Sequence, residues 1–97
     1  MKLTIEDKAA NWYLEELYLH QGDFIRFFVR YGGYGTVQSG FSLGVNKDTP
    51  DEIGLQVESK GITFFVEQKD LWYFDGHDLQ VQYNDKYREP EFHYEKN

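Results

Sequence analysis

The sequence predicts a mainly β domain (α+β by some definitions): a compact barrel or sandwich of short strands with one N-terminal helix packed outside. Three observations carry this. One amphipathic stretch opens the chain, a series of short alternating segments separated by turn residues fills the remainder, and 19% of the residues are aromatic. A core built from rings suits such a composition. The 97 residues are read as a single domain, 1–97, long enough to bury a core of modest stability.

Ala9, Ala10, Tyr13, Leu14, Leu17 and Tyr18 recur at helical spacing, which predicts a helix over residues 5–19. Thr4 is the expected N-cap, with Asp7 at the capping-box position. Glu6 and Asp7 suit the positive end of the helix dipole, and Gly22 is the expected C-cap.

Beyond Gly22 the pattern changes to period two. In Phe24–Arg30, Ile25, Phe27 and Val29 share one face. Phe41–Val45 alternates again, and the cluster Asn46–Asp51 reads as a turn. Leu55–Glu58 and Ile62–Val66 flank Ser59-Lys60-Gly61, a hairpin signal. Lys69–Phe74 is expected to form one helical turn that packs Leu71, Trp72 and Phe74. Asp75-Gly76 then turns the chain, Leu79–Tyr83 alternates, and Phe92–Tyr94 closes as a short strand.

Charge and composition narrow the function classes. A net charge of −7 disfavours nucleic acid and anionic membrane surfaces, both of which need a basic patch. It favours solubility or a basic protein partner. With no cysteine, disulfides, thiolate catalysis and thiolate metal sites are excluded. The absence of a long apolar run and of a signal-peptide core leads us to expect a cytoplasmic protein.

Between Arg30 and Gly40 lie four of the nine glycines. Gly32-Gly33-Tyr34-Gly35 lacks the Gly-Lys-Ser/Thr ending of a phosphate loop. A strand follows it, where a dinucleotide fingerprint requires a helix. Reversal of the chain through positive φ is the expected role of these glycines. Tyr31, Gly33, Tyr34 and Gly35 are the candidate surface for a partner or ligand, because exposed tyrosines anchor interfaces.

The order of segments resembles the HesB/IscA family, the A-type proteins of iron–sulfur cluster biosynthesis. LTIEDKAANW is similar to that family's leading helix, and FIRFFVRYGGYG to its first strand and glycine turn. DTPDEIGLQVESKGITFFVEQKDLWYFDG is similar to its acidic turn, hairpin, short helix and Asp-Gly, and LQVQY to the next strand. The resemblance covers nearly the whole chain and implies a HesB-like fold. It also implies iron or a cluster held by three cysteines, one in the glycine turn and two in a Cys-Gly-Cys near the C-terminus. Here Tyr34 follows Gly33 at the first position. The sequence stops at Glu95-Lys96-Asn97, about where the cysteine-bearing tail would begin.

Without thiolates, a metal would need histidine and carboxylate. Asp75, His77 and Asp78 form the densest such group, with His20, His93, Glu89 and Glu91 as outlying candidates. No cofactor is expected. No serine sits in a nucleophile elbow and no carboxylate spacing marks an acid–base pair, so the chain is not expected to be an enzyme. The expectation is a cysteine-free member of the HesB/IscA-like fold serving as a binding or regulatory module for a protein partner. The alternatives are weak mononuclear iron binding through His77, Asp75 and Asp78, or a small-ligand pocket of Tyr31, Tyr34 and Phe41. In this reading each tryptophan, Trp12 and Trp72, belongs to the core.

Overall fold

The computed structural model describes residues 1–33 and 37–96. Tyr34, Gly35 and Thr36, and with them half of the glycine-loop candidates, lie outside the described residues.

A strand precedes the helix. β1 (Leu3–Ile5) runs parallel to β6 (His77–Asn84), with Leu3 opposite Leu79 and Ile5 opposite Val81. The helix α1 is therefore shorter than the periodicity suggests, Asp7–Glu16. Thr4 lies inside β1 and caps nothing, and Glu6 takes the N-cap position with no side-chain capping bond. The Glu6 side chain instead accepts the Tyr83 N–H at 2.7 Å, and its own N–H donates to the Val81 carbonyl at 2.9 Å. Pairing with a strand more than seventy residues away has outcompeted the local cap. The C-terminal end is corrected too. Leu17 is the C-cap and Tyr18 takes the left-handed conformation (φ 51°), while Gly22 serves the turn into the next strand.

Two sheets follow from the strand pattern. One has the order β1-β6-β7, with β7 spanning Glu89–Lys96. The other has the order β3-β2-β5-β4, formed by β2 (Phe24–Tyr31), β3 (Phe41–Lys47), β4 (Ile53–Ser59) and β5 (Ile62–Glu67). β2 runs parallel to β5 and antiparallel to β3. The expected hairpin joins β4 and β5, with Lys60 and Gly61 both at positive φ, as a two-residue turn matched to strand twist requires. The sheets face each other as a sandwich and close no barrel.

The core fills the space between them. Ile25 and Phe27 of β2 and Phe64 and Val66 of β5 are fully buried against Leu79 and Val81 of β6. Phe27 stacks on Phe64 at 6.0 Å and meets Phe92 of β7 edge-on at 5.4 Å. From α1, Ala9 and Ala10 allow close approach, and Tyr13 reaches both phenylalanines at 5.9 Å. Burial raises the Tyr13 phenol far above its ordinary pKa of 10.0, so it packs as a neutral ring.

The helical turn expected near residue 70 is a 3-10 helix, Gln68–Phe74, which continues directly from β5 and packs on β4. Phe65, which points away from the main core on β5, is fully buried, with the Phe24 ring edge-on to it at 6.2 Å. The turn buries Tyr73 and Phe74 completely, but Trp72 is 52% exposed and does not belong to the core. Trp12 is half-buried against it.

Candidate partner-binding surface

β2 ends on Tyr31, and the chain turns through Gly32 (φ 100°) and Gly33 (φ 79°). Ser42, facing them from β3, holds the turn. Its hydroxyl donates to the Gly32 carbonyl at 3.0 Å and accepts the Arg30 Nε–H at 3.0 Å. A Cβ on Gly33 would stand 2.6 Å from that hydroxyl oxygen, so only glycine fits. The Gly32 N–H donates to Gly40 at 2.7 Å and closes the base of the loop. These glycines thus serve chain reversal over a serine, as their conformational freedom suggests.

The base of this loop carries an aromatic row. Tyr31 and Phe41 are opposite each other across β2 and β3, on the same face as Phe27 and Leu43. They extend the core-facing side of the sheet to its end, where Phe41 is still half-buried against the core. Tyr31 is 90% exposed. Its ring meets Phe41 edge-on at 5.6 Å, Phe41 meets Trp72 at 5.1 Å, and Trp72 leads to the buried Tyr73 at 6.2 Å. The row runs from solvent into the core, so its outer rings stand on a rigid base. Sequence reasoning found Tyr31 and Phe41 but assigned Trp72 elsewhere. The signal for it was available: four consecutive large residues, Leu71 to Phe74, cannot all face inward from one helical turn.

Gly33 is exposed in the turn that follows Tyr31. Tyr34 and Gly35 are outside the described residues.

The histidine and carboxylate candidates are not brought together. His77 and Asp78 are neighbours on β6 and so point to opposite sides of their sheet. The His77 Nδ1 donates to the carbonyls of Phe74 at 2.8 Å and Asp75 at 3.2 Å. Asp78 is buried and accepts the Lys2 N–H at 2.8 Å, tying down the N-terminus. Asp75 is the left-handed cap of the 3-10 helix, exposed at φ 48°. His20 lies beside Asp23 and His93 beside Glu91, each a local pair. Glu91 is held below the usual carboxylate range by the Asn84 amide first and His93 second. Among the described residues no three histidine or acidic side chains are grouped to hold a metal ion. Iron–sulfur clusters are held chiefly by thiolates; with no cysteine in the chain, the residues present do not fit a cluster.

Two buried acids escaped the sequence reading. Glu67 is 4% exposed, and its carboxylate accepts the N–H groups of Asp51 and Glu52 at 3.1 and 3.2 Å. Asp70 is 8% exposed and accepts Arg26 Nη2 at 2.9 Å. Both are structural: one holds the turn before β4, the other holds the 3-10 helix on the sheet.

Comparison with known proteins places the chain. The sequence model of a family described as iron–sulphur cluster biosynthesis matches residues 1–96. A Bacillus subtilis protein named pyruvate dehydrogenase inhibitor is 59% identical over 95 residues, covering 98% of this chain and 100% of that protein. An uncharacterised protein of Staphylococcus saprophyticus is 40% identical over 88 residues, covering 88% of this chain and 90% of its own. An uncharacterised protein of Staphylococcus haemolyticus is 32% identical over 85 residues, covering 84% and 86%.

Proposed function

This chain belongs to the iron–sulphur cluster biosynthesis family, and on that premise we propose that it is a non-enzymatic, cytoplasmic binding module that inhibits pyruvate dehydrogenase. The observation that carries the reading is its 59% identity, end to end, with a protein named for that inhibition. The chemistry of the chain agrees with it. No cysteine is present to hold a cluster, while the turn that presents a thiolate in the family stands here beside exposed aromatic rings.

The aromatic row of Tyr31, Phe41 and Trp72 is the contact surface in this reading. Large rings supply much contact area with few rotatable bonds to immobilise. Their support by Tyr73 in the core lowers the entropy lost on docking.

Purified chain added to pyruvate dehydrogenase is expected to lower its turnover saturably. Replacing Tyr31 and Trp72 together by alanine raises the half-inhibitory concentration about tenfold or more, with an unchanged circular dichroism spectrum. Undiminished turnover in the presence of excess chain would overturn the reading. Full inhibition by the double variant would move the contact elsewhere.

A further inference from the structure

Among the described residues the sandwich has four edge strands, and three of them are blunted. β1 has only three residues. β4 carries a register irregularity between Ile53 and Leu55. β7 carries Pro90 and an alternation of polar residues, Glu89, Glu91, His93 and Glu95, three of them acidic. Such features deter pairing with another chain. β3 has none of them: Phe41-Ser42-Leu43-Gly44-Val45-Asn46 holds no proline, bulge or charge before Lys47.

Its hydrogen-bonding register can be read directly. The Gly32 N–H to Gly40 bond and the Asp48 N–H to Phe24 bond bracket the ladder between β2 and β3. Bonded pairs alternate in an antiparallel ladder, so Ser42, Gly44 and Asn46 exchange bonds with Arg30, Phe28 and Arg26. Leu43, Val45 and Lys47 therefore direct their N–H and C=O groups away from β2, where no strand among the described residues pairs with them. The N–H of Phe41, the other residue of this set, turns back to Gln38 at 3.4 Å.

Beside Val45 lies an apolar groove of about 260 Å³, lined by Trp12, Tyr13, Leu17, Pro90 and the acidic Glu89. Glu89 and Glu16, the last residue of α1, form no ion pair among the described residues.

We propose that β3 is a strand-addition site: an extended segment of a partner, alternating apolar and basic residues, pairs with its free edge and sets an apolar side chain in the Trp12–Val45–Pro90 groove. The free backbone groups specify an extended occupant, because only another strand matches their spacing. Unpaired acids on a chain of net charge −7 favour a basic occupant, and the same charge repels a second copy.

The inference does not rest on the identity of the enzyme partner, and its test contains no pyruvate dehydrogenase. The two readings therefore fail separately. The probe is an acetylated, amidated peptide of alternating valine and lysine as long as β3, titrated into the whole chain while amide hydrogen exchange is followed by NMR. The amides of Leu43, Val45 and Lys47 are expected to slow about tenfold or more, each gaining a hydrogen bond. Those of Ser42, Gly44 and Asn46, already bonded to β2, stay unchanged. A valine–glutamate peptide should protect at least tenfold less at the same concentration. Val45→Pro removes one outward donor and should abolish protection at Leu43 and Lys47, whereas Val45→Thr retains it. Absent protection, or protection without this alternation, overturns the proposal. So does equal protection by the glutamate peptide, or alternating protection without peptide that grows with protein concentration, which would make a second copy the occupant.

Discussion

Arg26 Nη2 lies 2.9 Å from the Asp70 carboxylate, joining β2 to the 3-10 helix that displays Trp72. The same carboxylate oxygen accepts the Val29 N–H at 3.4 Å. Arg26 also reaches Asp48 at 3.5 Å and lies 5.9 Å over the Phe28 ring, while its buried Nε has no acceptor among the described residues. Only 18% and 11% of the two paired side chains is exposed. Removing one partner therefore leaves the other poorly solvated.

Asp70→Ala is accordingly expected to lose about 2–4 kcal/mol in urea unfolding. Adding Arg26→Met should recover part of that loss, since an apolar pair at such a site has no stranded charge. A single variant as stable as the parent would show that Asp48 alone satisfies the guanidinium.

Gly54 of β4 lies against the other side of the 3-10 helix. A Cβ there would stand 2.9 Å from Leu71 Cγ and 3.0 Å from the Gln68 Cα. Backbone cannot swing aside as a side-chain tip does. Gly54→Ala should cost about 1–3 kcal/mol through forced displacement of the helix, and Trp72 fluorescence should shift with it. An unchanged midpoint and spectrum would contradict this contact.

Glu67 holds two backbone donors through one buried carboxylate. Glu67→Ala strands both N–H groups and is expected to cost about 1–3 kcal/mol. Hydrogen exchange at Asp51 and Glu52 should accelerate more than elsewhere. Uniform acceleration would mean that the turn opens only with the whole domain.

The pH dependence of stability should carry a contribution from Asp23. Its carboxyl lies below the ordinary value of 3.8, chiefly because it accepts the His20 N–H at 2.8 Å, with Lys47 adding a favourable charge at 3.2 Å against the opposing effect of burial. A depressed folded value stabilises the protein above the ordinary carboxylate range, and that stabilisation is lost as pH falls through the folded value. The stability gap between the parent and Asp23→Asn, measured in urea, should be widest at neutral pH and close below pH 3.8. A gap that persists in acid would assign it to packing.

The sequence by itself determined the strand segments from β2 onward, the hairpin at Lys60-Gly61 and the helical stripe of Ala9, Ala10 and Tyr13. Each follows from local periodicity or from φ values that a few residue types adopt easily. The loss of cluster ligands was equally plain, since it needs only a count of cysteines. Tertiary structure decided the rest. Thr4 entered a strand because Gln80 lay across from it, a pairing no window around Thr4 contains. Trp72 came to the surface because Tyr73 and Phe74 took the inward places on a short helix. Glu67 and Asp70 were buried because distant backbone and an arginine solvated them in place of water. β3 was left at an open edge because β4, the strand after it, pairs with β5 and not with β3. Apart from Trp72, which yielded to its own chain neighbours, the deciding partner is remote in sequence, and whether a group is covered depends on what packs across from it.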